Sequence, residues 1–136
     1  MFATARHAIN SYREVGIETG VQAADPHKLI LMLFEGALIA LSDAKRFMLQ
    51  RQTAAKGQAL SKAIMIIENG LKTSLDAKAG GELGERLAAL YTYMCDRLLR
   101  ANLHNRPEIV DEVSRLLAEL RGAWEQINPA ATARKT

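Results

Sequence analysis

The sequence has few of the residues that mark secreted or membrane-spanning proteins. Its 136 residues include one cysteine, Cys95, which excludes an internal disulfide framework and favours a reducing compartment. The first fifteen residues lack the long apolar core of a secretory signal. The apolar run at residues 29–41 is shorter than the roughly 20 residues that span a bilayer. We therefore expect a single-domain cytoplasmic protein without membrane insertion.

The sequence also lacks any concentration of charge of one sign. Its 18 basic and 15 acidic residues leave a net charge of +3, and the two signs are interleaved along the chain. No basic stripe is present that could follow a phosphate backbone. We predict no nucleic-acid partner.

Residue types that carry catalysis or bind metals occur without the spacing these functions need. His7, His27 and His104 fall in three separate segments, and none follows a glutamate at the Glu-x-x-His spacing of di-iron bundles. Cys95 has no histidine nearby in the sequence, so we interpret it as a small buried apolar side chain rather than a nucleophile. The sequence predicts no catalytic residue, no metal site and no cofactor.

The sequence does contain helical periodicity, divided by a few breakers. Asp25-Pro26 predicts a helix start, because aspartate accepts free amide hydrogens and proline fits the first helical position. Apolar residues then recur at spacings of three and four, and no segment alternates with a period of two. We predict helices over residues 25–52 and 53–75, from the Gly80-Gly81 break to about Asn105, and from Pro107 to about Ile127.

Short joints between these segments predict an all-α protein, an antiparallel up-and-down four-helix bundle with a short N-terminal helical arm. On the arm, Ala5, Ile9 and Tyr12 share one face of about three turns, too few for a helix that is stable alone. The predicted division is an arm that can cover a groove at 1–24, one bundle domain at 25–128 and a flexible tail at 129–136.

The first predicted helix carries more apolar side chains than one bundle core needs. On a helical wheel, one arc faces the other helices and contains Leu29, Leu33, Ala37, Ala40, Leu41, Ala44 and Met48. Further apolar side chains lie outside the core stripes of the first two helices, namely Leu31, Met32, Leu38, Ile39, Met65 and Ile66. A partner or the protein's own arm would cover this surplus, whereas a thick core is the alternative interpretation.

Several stretches of the chain occur in an order shared with a known family. They are Ile9 to Tyr12, PHKLILMLFEGA, AKGQALSKAIMIIENGLKTSLD, GGELGERLAALYTYM, RLLRAN and Ala123-Trp124. Together they resemble the FliS family, the flagellin-specific export chaperones of bacteria, from about Ala8 to Ile127. Two positions depart from the usual family pattern: Asp25 replaces a serine, and Thr92 replaces an acidic residue.

The resemblance implies a chaperone that binds the disordered C-terminal segment of flagellin in the cytoplasm. Such proteins prevent premature polymerisation and help deliver flagellin to the flagellar type III export gate. The bound segment wraps the outside of the bundle, and the N-terminal arm can occupy part of that groove when flagellin is absent. Ile9 and Tyr12 match family positions linked to this region and to the gate protein.

Our hypothesis for the groove is that the six surplus apolar side chains of the first two helices supply part of its wall. Ordering a disordered partner is costly, so the groove has to bury about 1,000–3,000 Å². Two other interpretations compete with the flagellin chaperone. One is a helical-bundle enzyme or cofactor carrier, and the other is a self-associating bundle adaptor without flagellin binding. A homodimer of the free protein is compatible with the chaperone interpretation as well.

Overall fold

A computed structural model describes residues 25–78 and 81–127 of the chain. They form α1 (Pro26–Leu49), α2 (Thr53–Met65), a π-helical segment (Ile66–Lys72), α3 (Thr73–Lys78), α4 (Gly81–His104) and α5 (Pro107–Gln126). Because α2, the π-helical segment and α3 follow one another without a break, these elements make four helical stretches. No strand occurs in the two described ranges. The predicted all-α four-helix bundle is confirmed, while the predicted arm and tail lie outside the described residues.

Neighbouring helices run antiparallel and close into a ring. The helix α1 contacts α2 and α5, and α4 contacts the same two helices together with the π-helical segment. Moving along one helix towards higher residue numbers, the contacted residues of its neighbour have lower numbers. On α1 and α5 the pairs are Glu35–Arg121 and then Lys45–Asp111; on α2 and α4 they are Lys56–Asn102 and then Ile64–Cys95. The helices α1 and α2, and likewise α4 and α5, are antiparallel because a short connection joins the end of one to the start of the next. No helix among the described residues is long and apolar enough to cross a membrane.

The start of α1 follows the sequence prediction, and its end comes three residues early. The Asp25 carboxylate accepts the backbone N–H of Lys28 at 3.3 Å, and Pro26 is the first helical residue. The helix stops at Leu49 because Arg51 adopts a left-handed backbone with φ 55°. The N–H of Arg51 donates to the Met48 carbonyl at 3.2 Å and the N–H of Gln52 to the Phe47 carbonyl at 2.9 Å, which closes the helix.

The predicted core face of α1 is confirmed, since all seven of its side chains are buried. Six of them, all except Leu29, pack with apolar side chains from every other helical stretch into one continuous core. The innermost large ones are Leu33, Leu41, Met48, Leu60, Ile67, Met94, Leu98, Leu117, Val110 and Val113. The apolar arc of α1 is therefore accounted for by packing inside the bundle.

The π-helical segment overturns the prediction for Ile66. That side chain was expected on an outer face, but it is only 4% exposed and belongs to the core. The i→i+5 hydrogen bonding of a π-helix makes its turn wider than an α-helical turn, so Ile66 and Ile67 both face inward. In the same segment Gly70 lies against Leu33, and a Cβ at position 70 would be 3.1 Å from Leu33 Cδ2.

Candidate partner-binding surface

The junction between α1 and α5 is closed by polar contacts along its length. At the start of α1 the rings of His27 and Trp124 stack, with centroids 5.2 Å apart. Trp124 Nε1 donates to the His27 carbonyl at 2.9 Å, and His27 Nε2 donates to the Trp124 carbonyl at 2.7 Å. Two ion pairs follow with N–O distances of 2.9 Å, Arg121–Glu35 and Lys45–Asp111.

Leu31 and Leu38 lie on this closed side of α1. At about 100° per residue, Leu31 falls between His27 and Glu35 on the helix surface, and Leu38 shares the face of Glu35 and Lys45. Both leucines are half-buried, and Leu38 packs against the core. The structure therefore separates these two predicted groove residues from the others.

Met32, Ile39 and Met65 lie on the other side of the bundle. Met32 and Ile39 occupy the flank of α1 that points away from α5, which is the flank next to α2. Met32 is half-buried and Ile39 is 63% exposed. Met65, at the end of α2, is 46% exposed. These three side chains leave apolar surface open on α1 and α2, whereas Ile9 and Tyr12 lie outside the described residues.

Exposed apolar side chains continue onto α4, which carries none of the groove residues predicted from the sequence. Leu103 is 78% exposed, and Leu99, one turn earlier, is also exposed. The large exposed apolar residues in the described ranges are Ile39, Leu49, Met65, Leu83, Tyr93, Leu99, Leu103 and Ile127. None of them lies within α5. The signal that could have found Leu99 and Leu103 is their position outside the core stripe of α4, the criterion used for α1.

The junction of α4 and α5 is closed by a three-residue cluster. Glu112 of α5 accepts hydrogen bonds from Tyr93 at 2.5 Å and from Arg97 at 3.0 Å, both on α4. These hydrogen bonds lower the pKa of Glu112, and the hydrogen bond to Glu112 raises the pKa of Tyr93. With polar contacts on both of its sides, α5 forms the closed side of the bundle, and α1, α2 and α4 form the open side.

A shallow groove of about 580 Å³ follows the outer face of α2 where this helix meets α4. From α2 it is lined by Ala54, Gly57, Ser61 and Met65, and from α4 by Asn102. The floor is low at Gly57, because a Cβ added there would meet no atom within 4 Å beyond its chain neighbours and the adjacent backbone of its own helix. We call this feature the α2–α4 groove.

Lys56 joins α2 to the end of α4 beside this groove. It is 7% exposed and is the one buried charged side chain in the residue ranges 25–75 and 81–127. Its Nζ donates to the Asn102 carbonyl and to the Asn105 side-chain oxygen, both at 3.0 Å. Asn105 has a left-handed backbone with φ 51°, and a positive charge near a helix C-terminus is favourable. Lys56 therefore stabilises the position of the α4 end against α2.

Comparison with known proteins assigns the chain to a family. The family model described as Flagellar protein FliS matches residues 8–131. The flagellar secretion chaperone FliS of Salmonella typhimurium is 50% identical over 124 residues, covering 91% of this chain and 92% of that protein. The chain belongs to the FliS family.

Two further FliS-family relatives support the same assignment. The flagellar secretion chaperone FliS of Escherichia coli is 44% identical over 122 residues, 90% of each chain. The Bacillus subtilis protein of the same name is 32% identical over 109 residues, 80% of each chain. The resemblance drawn from the sequence is confirmed, and the family is one of secretion chaperones, which is not a class of enzymes.

In this FliS-family chain, Cys95 is buried, as the sequence predicted. Burial is the main cause that raises the pKa of its thiol from 9.0 to about 11, so the thiol is protonated at neutral pH. Within the described ranges, no three or more histidine, cysteine, aspartate or glutamate side chains are grouped so that they could hold a metal ion.

We expect Cys95 to react slowly with a thiol reagent such as dithionitrobenzoate at pH 8, and quickly once denaturant unfolds the chain. Rapid reaction of the native protein would contradict this prediction.

The burial of Cys95 also predicts an alkaline loss of stability. Above pH 9 the unfolded chain releases a thiol proton that the folded protein keeps until about pH 11, so the free energy of unfolding falls as the pH rises through this window. Denaturation midpoints of wild type and Cys95→Ala at pH 8 and pH 10.5 measure this difference.

Proposed function

We propose that this FliS-family protein is a cytoplasmic export chaperone that binds the disordered C-terminal segment of flagellin. In this proposal it prevents premature polymerisation and assists delivery of flagellin to the flagellar type III export gate. The observation that supports it most is the uneven distribution of exposed apolar side chains. Apart from Ile127, which directly follows α5, the large ones among the described residues lie on α1, α2 and α4, while α5 itself has none and is flanked by polar contacts on both sides.

The energy of coupled folding and binding favours such a distributed surface. Ordering each residue of a disordered partner costs about 1–2 kcal/mol, while one well-buried side chain returns about 1.5–3 kcal/mol. A segment of some tens of residues therefore needs many apolar contacts spread along its path. Exposed anchors on three helices, such as Ile39, Met65 and Leu103, meet this requirement better than one deep pocket.

We propose Met32, Ile39 and Met65 as flagellin contacts on the open side of the bundle. Leu31 and Leu38 stay in the proposal only as residues at the edge of this surface, since they lie at the α1–α5 junction. Ile66 is withdrawn because it is part of the core. Ile9 and Tyr12 are proposed as contacts of the N-terminal arm with the groove or with the gate protein.

Calorimetric titration with the C-terminal segment of flagellin from the same bacterium tests the proposal. We expect one-to-one binding with a large negative heat-capacity change, measured between about 15 and 35 °C, because apolar surface is buried while the partner folds. Double substitution of Ile39 and Met65 by serine should weaken binding. No binding at micromolar concentrations would refute flagellin as the partner. Light scattering that shows a stable dimer indifferent to flagellin would favour the self-associating adaptor.

A further inference from the structure

We propose that one end of the bundle docks on the anionic headgroup layer of a membrane. This end consists of residues 46–56, around the connection from α1 to α2, and residues 100–108, around the connection from α4 to α5. We call it the basic end. The inference goes beyond the proposed function and does not depend on it, since binding of flagellin requires no contact with lipid.

The fold brings these two segments together although most of α2 and α4 separates them in the sequence. The Lys56 ammonium, in the first turn of α2, donates to the Asn102 carbonyl and to the Asn105 side chain of the other segment, both at 3.0 Å. At the neighbouring junction, Lys45 of α1 pairs with Asp111 of α5 at 2.9 Å. Both connections therefore lie at the same end of the bundle.

Most of the positive charge of the protein is gathered at the basic end. Its two segments contain five arginine or lysine residues and one acidic residue, Glu108, which leaves a net charge of +4. The whole chain has a net charge of +3, so all other residues together carry −1. Four of the five basic side chains are exposed, namely Arg46, Arg51, Arg100 and Arg106. A protein with this polarity turns its basic end towards an anionic surface.

Ion pairs within the protein neutralise these arginines only weakly. Arg46, Arg100 and Arg106 each pair with a carboxylate a few residues away, at N–O distances of 3.3 or 3.4 Å. The side chains of these three pairs are between 41 and 63% exposed, so the pairs add little stability and the guanidinium groups can bind phosphate instead.

Two exposed leucines lie among the arginines. Leu49 is the last residue of α1 and is 66% exposed, and Leu103, in the last turn of α4, is 78% exposed. At a membrane surface, such apolar side chains enter the boundary below the headgroups while the cations stay at the phosphates. This contact rests on the membrane and does not span it. Leu103 also borders the open side, so Leu49 is the leucine that belongs to the basic end alone.

The shape of the basic end favours a flat surface over a peptide. Peptides are recognised in grooves or at sheet edges. The α2–α4 groove follows the side of α2, and neither of the two exposed leucines nor any of the four arginines lines it. A layer of lipid headgroups needs no groove, because the end of a helical bundle can rest on it.

Charge disfavours the other occupants. A second copy docked through the same end would bring together two surfaces of like charge. Residues 1–24 and 128–136 join the bundle at its opposite end, because they continue from the start of α1 and the end of α5. Residues 1–24 have equal numbers of basic and acidic side chains, and residues 128–136 are basic, so neither segment complements the basic end.

Flotation of the full chain with lipid vesicles tests the proposal. We expect binding to vesicles that contain about 30% phosphatidylglycerol and none to vesicles of phosphatidylcholine alone. Raising the salt from about 50 to about 300 mM should weaken the binding at least about fivefold, because the charges are exposed. Absence of binding to the anionic vesicles would overturn the proposal, as would equal binding to both kinds of vesicle. Binding of polyglutamate without binding of vesicles would identify an acidic protein as the occupant and overturn it too.

Two charge-removing substitutions test the location, and each new residue suits its backbone. Asparagine in Arg51→Asn tolerates the left-handed φ of 55°, and serine in Arg106→Ser is a favourable N-cap for α5. Each should weaken binding to anionic vesicles about fivefold, and the double variant should weaken it further. Arg86→Gln removes the same charge near the start of α4, at the opposite end, and should change binding by less than about twofold. Full binding by the double variant would overturn the proposal.

Leu49→Ser tests the apolar contribution and should weaken vesicle binding about threefold or more. Thermal unfolding verifies that this variant, altered at an exposed position, keeps its fold. Equal binding of Leu49→Ser and the wild type would contradict entry of the leucine into the lipid layer.

Binding of the flagellin C-terminal segment separates this inference from the proposed function. Arg51→Asn should leave that affinity within about twofold of the wild type, because the proposed flagellin contacts lie on the open side. Loss of flagellin binding in Arg51→Asn would assign the basic end to the flagellin surface and overturn the inference. A wild type that binds anionic vesicles but not flagellin would refute the proposed function and support the inference.

Discussion

Replacing Gly70 by valine is expected to lower the free energy of unfolding by about 2–3 kcal/mol. The Cβ alone would lie 3.1 and 3.3 Å from the two terminal methyl carbons of Leu33, which is almost completely buried. Leu33 cannot move aside without displacing other core side chains, because the interior is close-packed. The small gain from removing a helical glycine does not offset this strain. Denaturant unfolding followed by circular dichroism measures the change.

Gly122→Val is the matched control, since its Cβ would meet nothing within 4 Å and the variant should stay within about 0.5 kcal/mol of the wild type. A second test uses Leu33→Ala, which should cost about 2–5 kcal/mol in the wild type but considerably less in the Gly70→Val background, because valine fills part of the cavity. Equal stability of Gly70→Val and Gly122→Val would show that the close contact at Leu33 is relaxed without cost.

Replacing Lys56 by alanine is expected to lower the free energy of unfolding by about 2–4 kcal/mol. The substitution removes two hydrogen bonds from a charged donor, to Asn102 and Asn105, and also the buried aliphatic part of the side chain. Lys56→Met keeps most of the aliphatic contact and loses only the ammonium group, so about half of the cost should remain. Urea unfolding of the two variants separates the contributions.

Lys62→Met is the control for these variants, because Lys62 is an exposed lysine of the same helix and its loss should change stability by less than about 0.5 kcal/mol. Amide hydrogen exchange adds a local readout, since Lys56→Met should weaken protection in the last turn of α4 before it affects α5. A Lys56→Met variant as stable as the wild type would mean that the desolvation of the ammonium cancels its hydrogen bonds.

The core face of α1 was predictable from the sequence because a regular α-helix has one period. Side chains such as Leu33, Leu41 and Met48 recur at that period, and each is buried as expected. Ile66 was not predictable in this way, since a helical wheel assumes about 100° per residue and the π-helical segment departs from it. The close approach of the Leu33 side chain to Gly70 depends on this local geometry and cannot be read from the apolar pattern.

The candidate surface was predictable in part. The wheel identified apolar side chains outside the core arc of α1, and the structure confirms that Ile39 is exposed. It could not tell which flank would face α5, because that depends on the closure of the ring by pairs such as Lys45–Asp111. Leu31 and Leu38 therefore looked equivalent to Met32 and Ile39 although they lie at a closed junction.

The stacked pair of His27 and Trp124 makes the intrinsic fluorescence of this protein a report on one place. The sequence has a single tryptophan, so the whole indole emission comes from the point where α1 begins and α5 ends. The indole N–H donates a hydrogen bond to a backbone carbonyl and the indole ring stacks on an imidazole, and we expect the emission to respond to the loss of either contact. Opening of this junction changes the emission, whereas occupation of the α2–α4 groove, on another side of the bundle, leaves the indole contacts in place. The protein thus carries a built-in optical probe that distinguishes events at its helix ends from binding at its open side.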